Sequence, residues 1–272
     1  MFAAASSIAL GFLLFAFLAV GLLIYLAVAW QIGARRAVTI AQAPEGIKTF
    51  GWPEAFLAVA LVLFLLLNIS ASFGRSPVQL SGRDLVANLL FTAFIVFFIG
   101  AFLKLRGIDI DALGGFSKTT LKRALSTGVV LLLAATPLIL LAEALTQNLF
   151  GSGSSRQEIV DLFNSSQTIQ QRIMIIVLAV VVAPMAEEFI FRLFIYGVLR
   201  RYFGIVVGLV FNALLFAAAH NHLPSAAPLF VLGACFTLAY EWSGSILVSM
   251  AMHALFNSVQ LIFLAFPNLV QQ

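Results

Sequence analysis

The segment PMAEEFIFR, residues 184–192, places two adjacent glutamates and an arginine inside an otherwise apolar stretch of the chain. A charged side chain at the centre of a membrane helix costs roughly 2.5–3.5 kcal/mol, so such residues persist where they face a protein interior or take part in chemistry. Glu188 and Arg192 are four residues apart and lie on one helix face, with the acid N-terminal to the base. Glu187 is turned about 100° away and lies outside this pair. A pair that only locks two helices together would leave Glu187 unexplained.

Two further polar motifs follow at helical spacing. FAAAH, residues 216–220, ends an apolar run with His220, and HALFN, residues 253–257, places His253 and Asn257 four residues apart on one helix face. Each has a simpler interpretation, because a lone histidine is often interfacial and amide side chains form ordinary interhelical hydrogen bonds. Counting about 1.5 Å per residue from one membrane face brings these residues and Glu187 to within about 10 Å of depth. We therefore expect one shared cavity.

An acid, two imidazoles and an amide in one cavity form a set of groups suited to hydrolysis. The Glu187 carboxylate can take a proton from water. Imidazole and amide N–H groups can stabilise an oxyanion. Pro184, three residues before Glu187, removes one backbone hydrogen bond and can kink the helix, so neighbouring helices or water are expected to complete the local bonding.

The composition places these motifs in a membrane. The chain has 272 residues, of which 62% are hydrophobic and 10% charged, against about 25% charged in an average soluble domain. We predict an all-α bundle of about eight transmembrane spans forming a single integral membrane domain, residues 1–272. The predicted spans are residues 1–34, 55–74, 85–103 and 124–142, the segment that contains Glu187, two spans within 202–240, and a last span from 242 to the C-terminus.

Several features refine this prediction. HNHLPSAAP, residues 220–228, is the expected break within the long apolar run, because its polar residues and prolines interrupt the pattern. The first run is expected to be a span rather than a signal peptide, since no basic region precedes it. Residues 147–172 are polar and are predicted to be a loop or a surface-lying helix. The single cysteine, Cys235, excludes an intrachain disulfide.

The positions of lysine and arginine predict the orientation. With the N-terminus outside, ten of the fifteen basic residues face the cytoplasm: Arg35, Arg36, Lys48, Lys104, Arg106, Lys118, Lys122, Arg123, Arg200 and Arg201. Four face the opposite side, Arg75, Arg83, Arg156 and Arg172, and Arg192 lies within a span. The net charge of +4 therefore reflects membrane topology. No basic stripe interleaved with aromatic residues indicates a nucleic-acid partner.

The ordered motifs resemble those of the CAAX-protease and bacteriocin-processing family of intramembrane peptidases, which includes the type II CAAX prenyl endopeptidases. The motifs are Glu187-Glu188-x-x-x-Arg192, Phe216-x-x-x-His220 and His253-x-x-x-Asn257. The resemblance covers roughly residues 120–262, which we expect to form the core that bears the peptidase motifs. It implies an endopeptidase acting on a peptide or protein at the membrane. Prenylated proteins, bacteriocin leaders, other lipidated peptides and signal remnants all remain possible substrates.

The resemblance also implies roles for individual residues. Glu187 would activate water, and His220 would help to hold or polarise it. His253 and Asn257 would stabilise the tetrahedral oxyanion. The pair formed by Glu188 and Arg192 would support the site.

A metal-dependent mechanism is the alternative within this reading. The sequence has no HExxH motif, the commonest zinc-protease arrangement. His220, His253 and Glu187 could still supply the two histidines and one glutamate that catalytic zinc accepts. Glu188 would then have to act as the base, a role that its pairing with Arg192 weakens. We expect a metal-free glutamate mechanism without a cofactor, with zinc as the alternative.

Two other functional classes remain open. In a proton-coupled transporter, Glu187, Glu188 and His253 would relay protons. Carriers usually show inverted repeats and broken helices in both halves, whereas the polar residues here concentrate in the second half. In a non-enzymatic membrane scaffold, the cluster would serve packing alone. The substitution Glu187→Gln would distinguish the scaffold from the enzyme, because packing should survive it and hydrolysis should not.

Overall fold

The computed structural model describes residues 2–39, 49–72, 82–150 and 168–265, and all regular structure within them is helical. The predicted all-α bundle is confirmed. In the first half of the chain the helices are α1 Phe2–Thr39, α2 Trp52–Ser72, α3 Gly82–Leu105, α4 Ile110–Gly114 and α5 Leu121–Phe150. The short α4 and the 3₁₀ turn Phe116–Lys118 lie in a connection for which the sequence analysis predicted no structure.

The next helical segment reverses direction at Gly204. Ile169–Ala219 has 51 residues, about 76 Å of straight helix, against a hydrocarbon core of about 30 Å. Gly204 has φ 80° and ψ 177°, a combination essentially restricted to glycine. A Cβ at Gly208 would lie 3.0 Å from the backbone nitrogen of Arg200. In a straight helix these two residues would be about 12 Å apart, so the chain folds back on itself here. We therefore name residues 169–203 α6 and residues 205–219 α7.

The last two helices follow the predicted break. Beyond Ala219 the chain turns through Asn221, which has φ 48°, and a 3₁₀ turn at Leu223–Ser225. Helix α8 spans Ala226–Ser243 and α9 spans Ile246–Ala265. The break predicted at residues 220–228 is confirmed. The last span begins four residues later than predicted, because Gly244 ends α8 in the left-handed conformation, with φ 65°.

Seven described segments are long and apolar enough to cross a membrane: Ala9–Arg35, Trp52–Ala71, Val86–Leu105, Leu121–Asn148, Ile169–Ala219, Leu223–Ser243 and Ile246–Phe263. The fifth contains both α6 and α7, so the count agrees with the eight spans predicted. The chain is a multi-pass membrane protein.

The polar connection predicted at residues 147–172 is shorter than expected. Helix α5 continues through Phe150, and α6 begins at Ile169. The start of α6 carries a capping box, in which the Gln171 N–H donates to Thr168 Oγ1 at 3.2 Å and the Thr168 N–H donates to Gln171 Oε1 at 3.3 Å. The predicted loop at residues 151–167 lies outside the described residues.

Helices α5 and α8 form the centre of the bundle. α5 packs against α1, α8 and α9, and α8 packs in addition against α1, α7 and α9. Helix α3 contacts the Ala183–Glu188 segment of α6, which carries both glutamates. The site-bearing helices are therefore held against the interior of the bundle.

The ends of several helices meet at one face. Arg35 Nη1 donates to the Trp242 carbonyl at 2.8 Å, which joins the end of α1 to the end of α8. Arg200 Nη1 lies 3.0 Å from Glu241 Oε2, and a Cβ at Gly244 would lie 3.3 Å from Lys118 Nζ. The connections predicted to share a basic face thus lie together. That this face is cytoplasmic stays a prediction.

Candidate active site

Two π-helical turns shape the part of α6 that carries the glutamates. Leu178–Val182 and Phe189–Tyr196 are π-helical, and the short α-helical segment Ala183–Glu188 lies between them. Such turns are rare and occur frequently at functional sites. The disturbance predicted at Pro184 is present as a change of hydrogen-bond register, because the Ala183 N–H donates to the Leu178 carbonyl, five residues back.

The predicted pair of Glu188 and Arg192 is present. Arg192 Nη1 lies 3.1 Å from Glu188 Oε1, and both side chains are fully buried. Arg192 Nη2 donates to the Gly233 carbonyl on α8 at 3.3 Å. The guanidinium carbon lies 4.3 Å from the centre of the Phe216 ring, a cation–π contact that favours the buried charge. The arginine is therefore held by a carboxylate, a backbone carbonyl and an aromatic face.

His253 lies between the two glutamates. Its Nδ1 is 3.0 Å from Glu188 Oε1, and its Nε2 is 3.8 Å from Glu187 Oε2. Because a carboxylate only accepts, Nδ1 carries a proton and donates to Glu188. The ring stacks on Phe236, with centroids 4.8 Å apart. The spacing in the sequence groups His253 with Asn257, and it does not predict this contact with Glu188.

Glu187 is the accessible carboxylate of the cluster. Its side chain is 30% exposed, whereas that of Glu188 is fully buried. Its Oε2 atom is shielded and has no hydrogen-bond partner among the described residues. Glu187 thus lies at the edge of the buried charges and remains available to a small molecule such as water.

His220 joins the cluster through Phe216. Its Nδ1 lies 2.8 Å from the Phe216 carbonyl, which can only accept, so Nδ1 carries the proton and Nε2 is an acceptor in the neutral ring. The Phe216 ring is fully buried. Its centroid lies 4.8 Å from that of the His220 ring and 5.8 Å from that of the His253 ring. One aromatic side chain therefore lies against both histidines.

Asn257 reaches a different part of α6. Its Nδ2 donates to the Ala179 carbonyl at 2.8 Å. Ala179 lies in the first π-helical turn, about two turns before Glu187. The bond uses one of the two N–H donors of the amide. The residue belongs to the same group of helices as the glutamates, but its described contact is with backbone.

A polar network behind Arg192 was not predicted from the sequence. Asn212 Nδ2 donates to Thr237 Oγ1 at 3.1 Å, and Thr237 Oγ1 donates to the Gly233 carbonyl at 2.9 Å. Arg192 donates to the same carbonyl. Both Asn212 and Thr237 are fully buried. In the sequence each of them is an isolated polar residue inside an apolar run, and this isolation was the feature that could have pointed to the network.

The cluster contains nearly balanced charges. Glu187 and Glu188 are acidic, and Arg192 supplies one positive charge. Buried charges are tolerated when they are paired and hydrogen-bonded, so the contacts of Glu188 with Arg192 and His253 stabilise the buried acid.

The predicted alternative zinc ligands are not assembled in this structure. No three His, Cys, Asp or Glu side chains among the described residues are placed to share a metal ion. His220 and His253 can each present a neutral Nε2, the form that zinc binds. The zinc alternative stays a prediction.

Comparison with known proteins identifies the segment that carries these motifs. Residues 169–259 match the family described as Rce1-like, type II CAAX prenyl endopeptidase Rce1-like. The resemblance to the CAAX-protease family is confirmed. The match runs from the start of α6 into α9 and includes all three motifs. It is narrower than the predicted core of residues 120–262, which stays a prediction.

A curated relative is similar to part of the chain. The membrane-embedded CAAX protease MroQ of Staphylococcus aureus (strain USA300) is 32% identical over 89 residues, which is 30% of this chain and 36% of that protein. The aligned region thus spans about a third of the relative. No solved structure matches the chain.

Proposed function

We propose that this protein is an intramembrane endopeptidase that hydrolyses membrane-associated peptides with a water molecule activated by Glu187. The observation that carries the proposal is the difference between two adjacent glutamates. Glu188 is buried and bonded to Arg192 and His253, whereas Glu187 is partly exposed beside the same histidine. The match to the CAAX-protease family supports the same reaction class.

The proposed reaction begins with a water molecule held by Glu187 and by Nε2 of His220. Glu187 takes one proton from this water, and the water oxygen forms a bond to the carbonyl carbon of the scissile peptide. The carbonyl oxygen becomes an oxyanion. When the carbon–nitrogen bond breaks, the proton held by Glu187 passes to the leaving nitrogen, which restores the carboxylate.

We assign oxyanion stabilisation to His253 and to the second N–H of Asn257. Since Nδ1–H of His253 is engaged by Glu188, the ring can donate from Nε2 only when it carries both protons. Proton transfer from water to Glu187 moves one negative charge from the carboxylate to the oxyanion. The net charge of the site is then unchanged, and N–H donors placed beside the developing charge stabilise it.

The substrate is expected to be a prenylated or leader-type peptide, by analogy with the family. The test is to incubate the purified protein in liposomes with a panel of prenylated and unprenylated peptides and to read cleavage sites by mass spectrometry. We expect cleavage at internal peptide bonds by the parent protein and none by Glu187→Gln. Cleavage at the parental rate by that variant would refute the role of Glu187.

The same preparations test the zinc alternative. A glutamate mechanism predicts that activity survives phenanthroline and that elemental analysis finds well under one zinc per chain. Stoichiometric zinc that is lost together with activity would contradict this mechanism. It would instead assign His220, His253 and a glutamate as ligands.

A further inference from the structure

The first π-helical turn of α6 leaves one backbone carbonyl without a backbone donor. Within this turn the Ala183 N–H donates to the Leu178 carbonyl, five residues back. In the same register the Ala179 carbonyl requires the N–H of residue 184. That residue is Pro184, which has no N–H. A carbonyl left unpaired inside a membrane protein is unfavourable, so another group must bond to it.

Asn257 supplies the missing donor. Its Nδ2 lies 2.8 Å from the Ala179 oxygen, and Ala179 is 6% exposed, so water has little access to this site. Asn257 comes one helical turn after His253 on α9. The bond therefore joins α6 to α9. Side chains of the same two helices, Glu187 and His253, approach each other to 3.8 Å.

We propose that Asn257 is a positioning residue, whose amide replaces the N–H that Pro184 lacks and holds α6 against α9. The register of α6 then keeps Glu187 beside His253. This role is additional to the proposed oxyanion contact, because one N–H of the amide bonds to the Ala179 carbonyl and the other is left for the oxyanion. Its activity test rests on the proposed function, but its structural test does not.

The two residues must be coupled if this proposal is correct. Pro184→Ala restores a backbone N–H that can reach the Ala179 carbonyl, which makes the bond from Asn257 dispensable. An asparagine that acts on the oxyanion alone predicts no such dependence, because the proline does not contact the substrate carbonyl. The coupling between the two substitutions thus separates the roles.

The experiment is a double-mutant cycle of the parent, Pro184→Ala, Asn257→Ala and the double variant, with kcat, KM and Tm measured in liposomes. In the parent background we expect Asn257→Ala to lower kcat with little change in KM, and to lower Tm by about 2–4 °C. In the Pro184→Ala background the loss of kcat should be at least about 5-fold smaller, and the loss of Tm should nearly vanish. Equal losses in both backgrounds would overturn the proposal.

Pro137 provides a matched control, because it is also a proline inside a helix, in α5. Pro137→Ala should not reduce the effects of Asn257→Ala, and an equal rescue by this control would refute the specific pairing. If Pro184→Ala gives no folded protein, Pro184→Ser restores the same N–H. If the parent cleaves no peptide, the proposed function fails, while the coupling in Tm still confirms or refutes the bond to Ala179.

Discussion

Helices α2 and α3 are buried less than α8 and α9, which lie in the matched segment. Only 11% of the apolar window is buried in α2 and in α3, against 50% in α8 and 39% in α9. Peripheral helices of this kind need hydrophobicity to remain in the bilayer but few specific partners. The helices around the site are instead held by polar bonds between α6, α8 and α9. How much a substitution should matter thus depends on how deeply its helix is buried in the bundle.

The same contrast separates two ion pairs. Arg106 Nε lies 2.9 Å from Glu54 Oε1, and the arginine side chain is 48% exposed. In the pair of Arg192 and Glu188 both side chains are fully buried. In the first pair Glu54 is buried but its arginine is in contact with solvent, whereas in the second pair neither charge reaches solvent. Substitutions in the two regions should therefore differ in their effects on activity and stability.

The largest effect is expected at the partly exposed acid. Glu187→Gln keeps the shape of the side chain but removes the proton acceptor, so kcat should fall by about 10²–10⁴-fold while KM changes little. The matched control is Glu143→Gln on α5, where the carboxylate accepts a bond from Gln147; it should leave kcat near the parental value. A similar loss in both variants would show that glutamate removal acts on folding and not on chemistry.

The next effect concerns the buried pair. Arg192→Ala leaves the Glu188 carboxylate without its cation, at a cost of about 3–5 kcal/mol in the free energy of unfolding. Arg106→Ala removes a half-exposed partner of the buried Glu54, which keeps its bond from the Gly51 N–H at 2.7 Å, and should cost less, about 1–3 kcal/mol. Denaturation of both purified variants, followed by circular dichroism, measures the difference. Equal costs would contradict the contrast between the two regions.

A double substitution sharpens the same prediction. Glu188→Gln with Arg192→Met removes both charges, so it should recover part of the stability lost in Arg192→Ala. Activity should not return, because His253 loses its carboxylate acceptor. Additive losses in the double variant would show that the two residues are not energetically paired.

Matched phenylalanine substitutions test the packing of the two regions. Phe216 is fully buried against Arg192 and both histidines, whereas Phe94 on α3 is 60% exposed. Phe216→Ala should cost about 3–5 kcal/mol in the free energy of unfolding, and Phe94→Ala about 1 kcal/mol or less. Thermal unfolding of the two variants provides the measurement. A larger loss for Phe94→Ala would mean that α2 and α3 are part of the stable core.

The sequence predicted those parts of the site that depend on local periodicity. The contact of Glu188 with Arg192 follows from a spacing of four residues, and the break at residues 220–228 follows from polar residues and prolines in an apolar run. The short distances from His253 to both glutamates place three of these side chains together, whereas the shared cavity itself stays a prediction. The individual catalytic roles stay predictions.

Other features depend on which helices meet, which local spacing does not reveal. The bond from Asn257 to Ala179 joins residues 78 positions apart, and it exists because a π-helical turn precedes Pro184. The reversal at Gly204 depends on a backbone conformation, with φ 80° and ψ 177°, that the position of this glycine in the sequence does not reveal. The polar residues Asn212 and Thr237 were visible as isolated groups in apolar runs, but nothing local indicated that they would share a carbonyl with Arg192.

The last prediction concerns topology, and its substitutions should change stability least. Cysteine labelling shows on which side of the membrane each end of α8 lies. α8 has 18 residues, a length of about 27 Å, and its C-terminal end lies near Lys118. Leu223 precedes its other end and is 69% exposed. With the predicted orientation, an impermeant maleimide should label Lys118→Cys only after the cells are permeabilised and should label Leu223→Cys in intact cells.

The parent protein is the control for this labelling, because its single cysteine, Cys235, is 3% exposed and should not react. Gly153→Cys lies outside the described residues but is predicted to share the side of Leu223. A reversed pattern would place the basic face outside, against the distribution of lysine and arginine. Labelling of Lys118→Cys and Leu223→Cys under the same conditions would contradict a membrane crossing by α8.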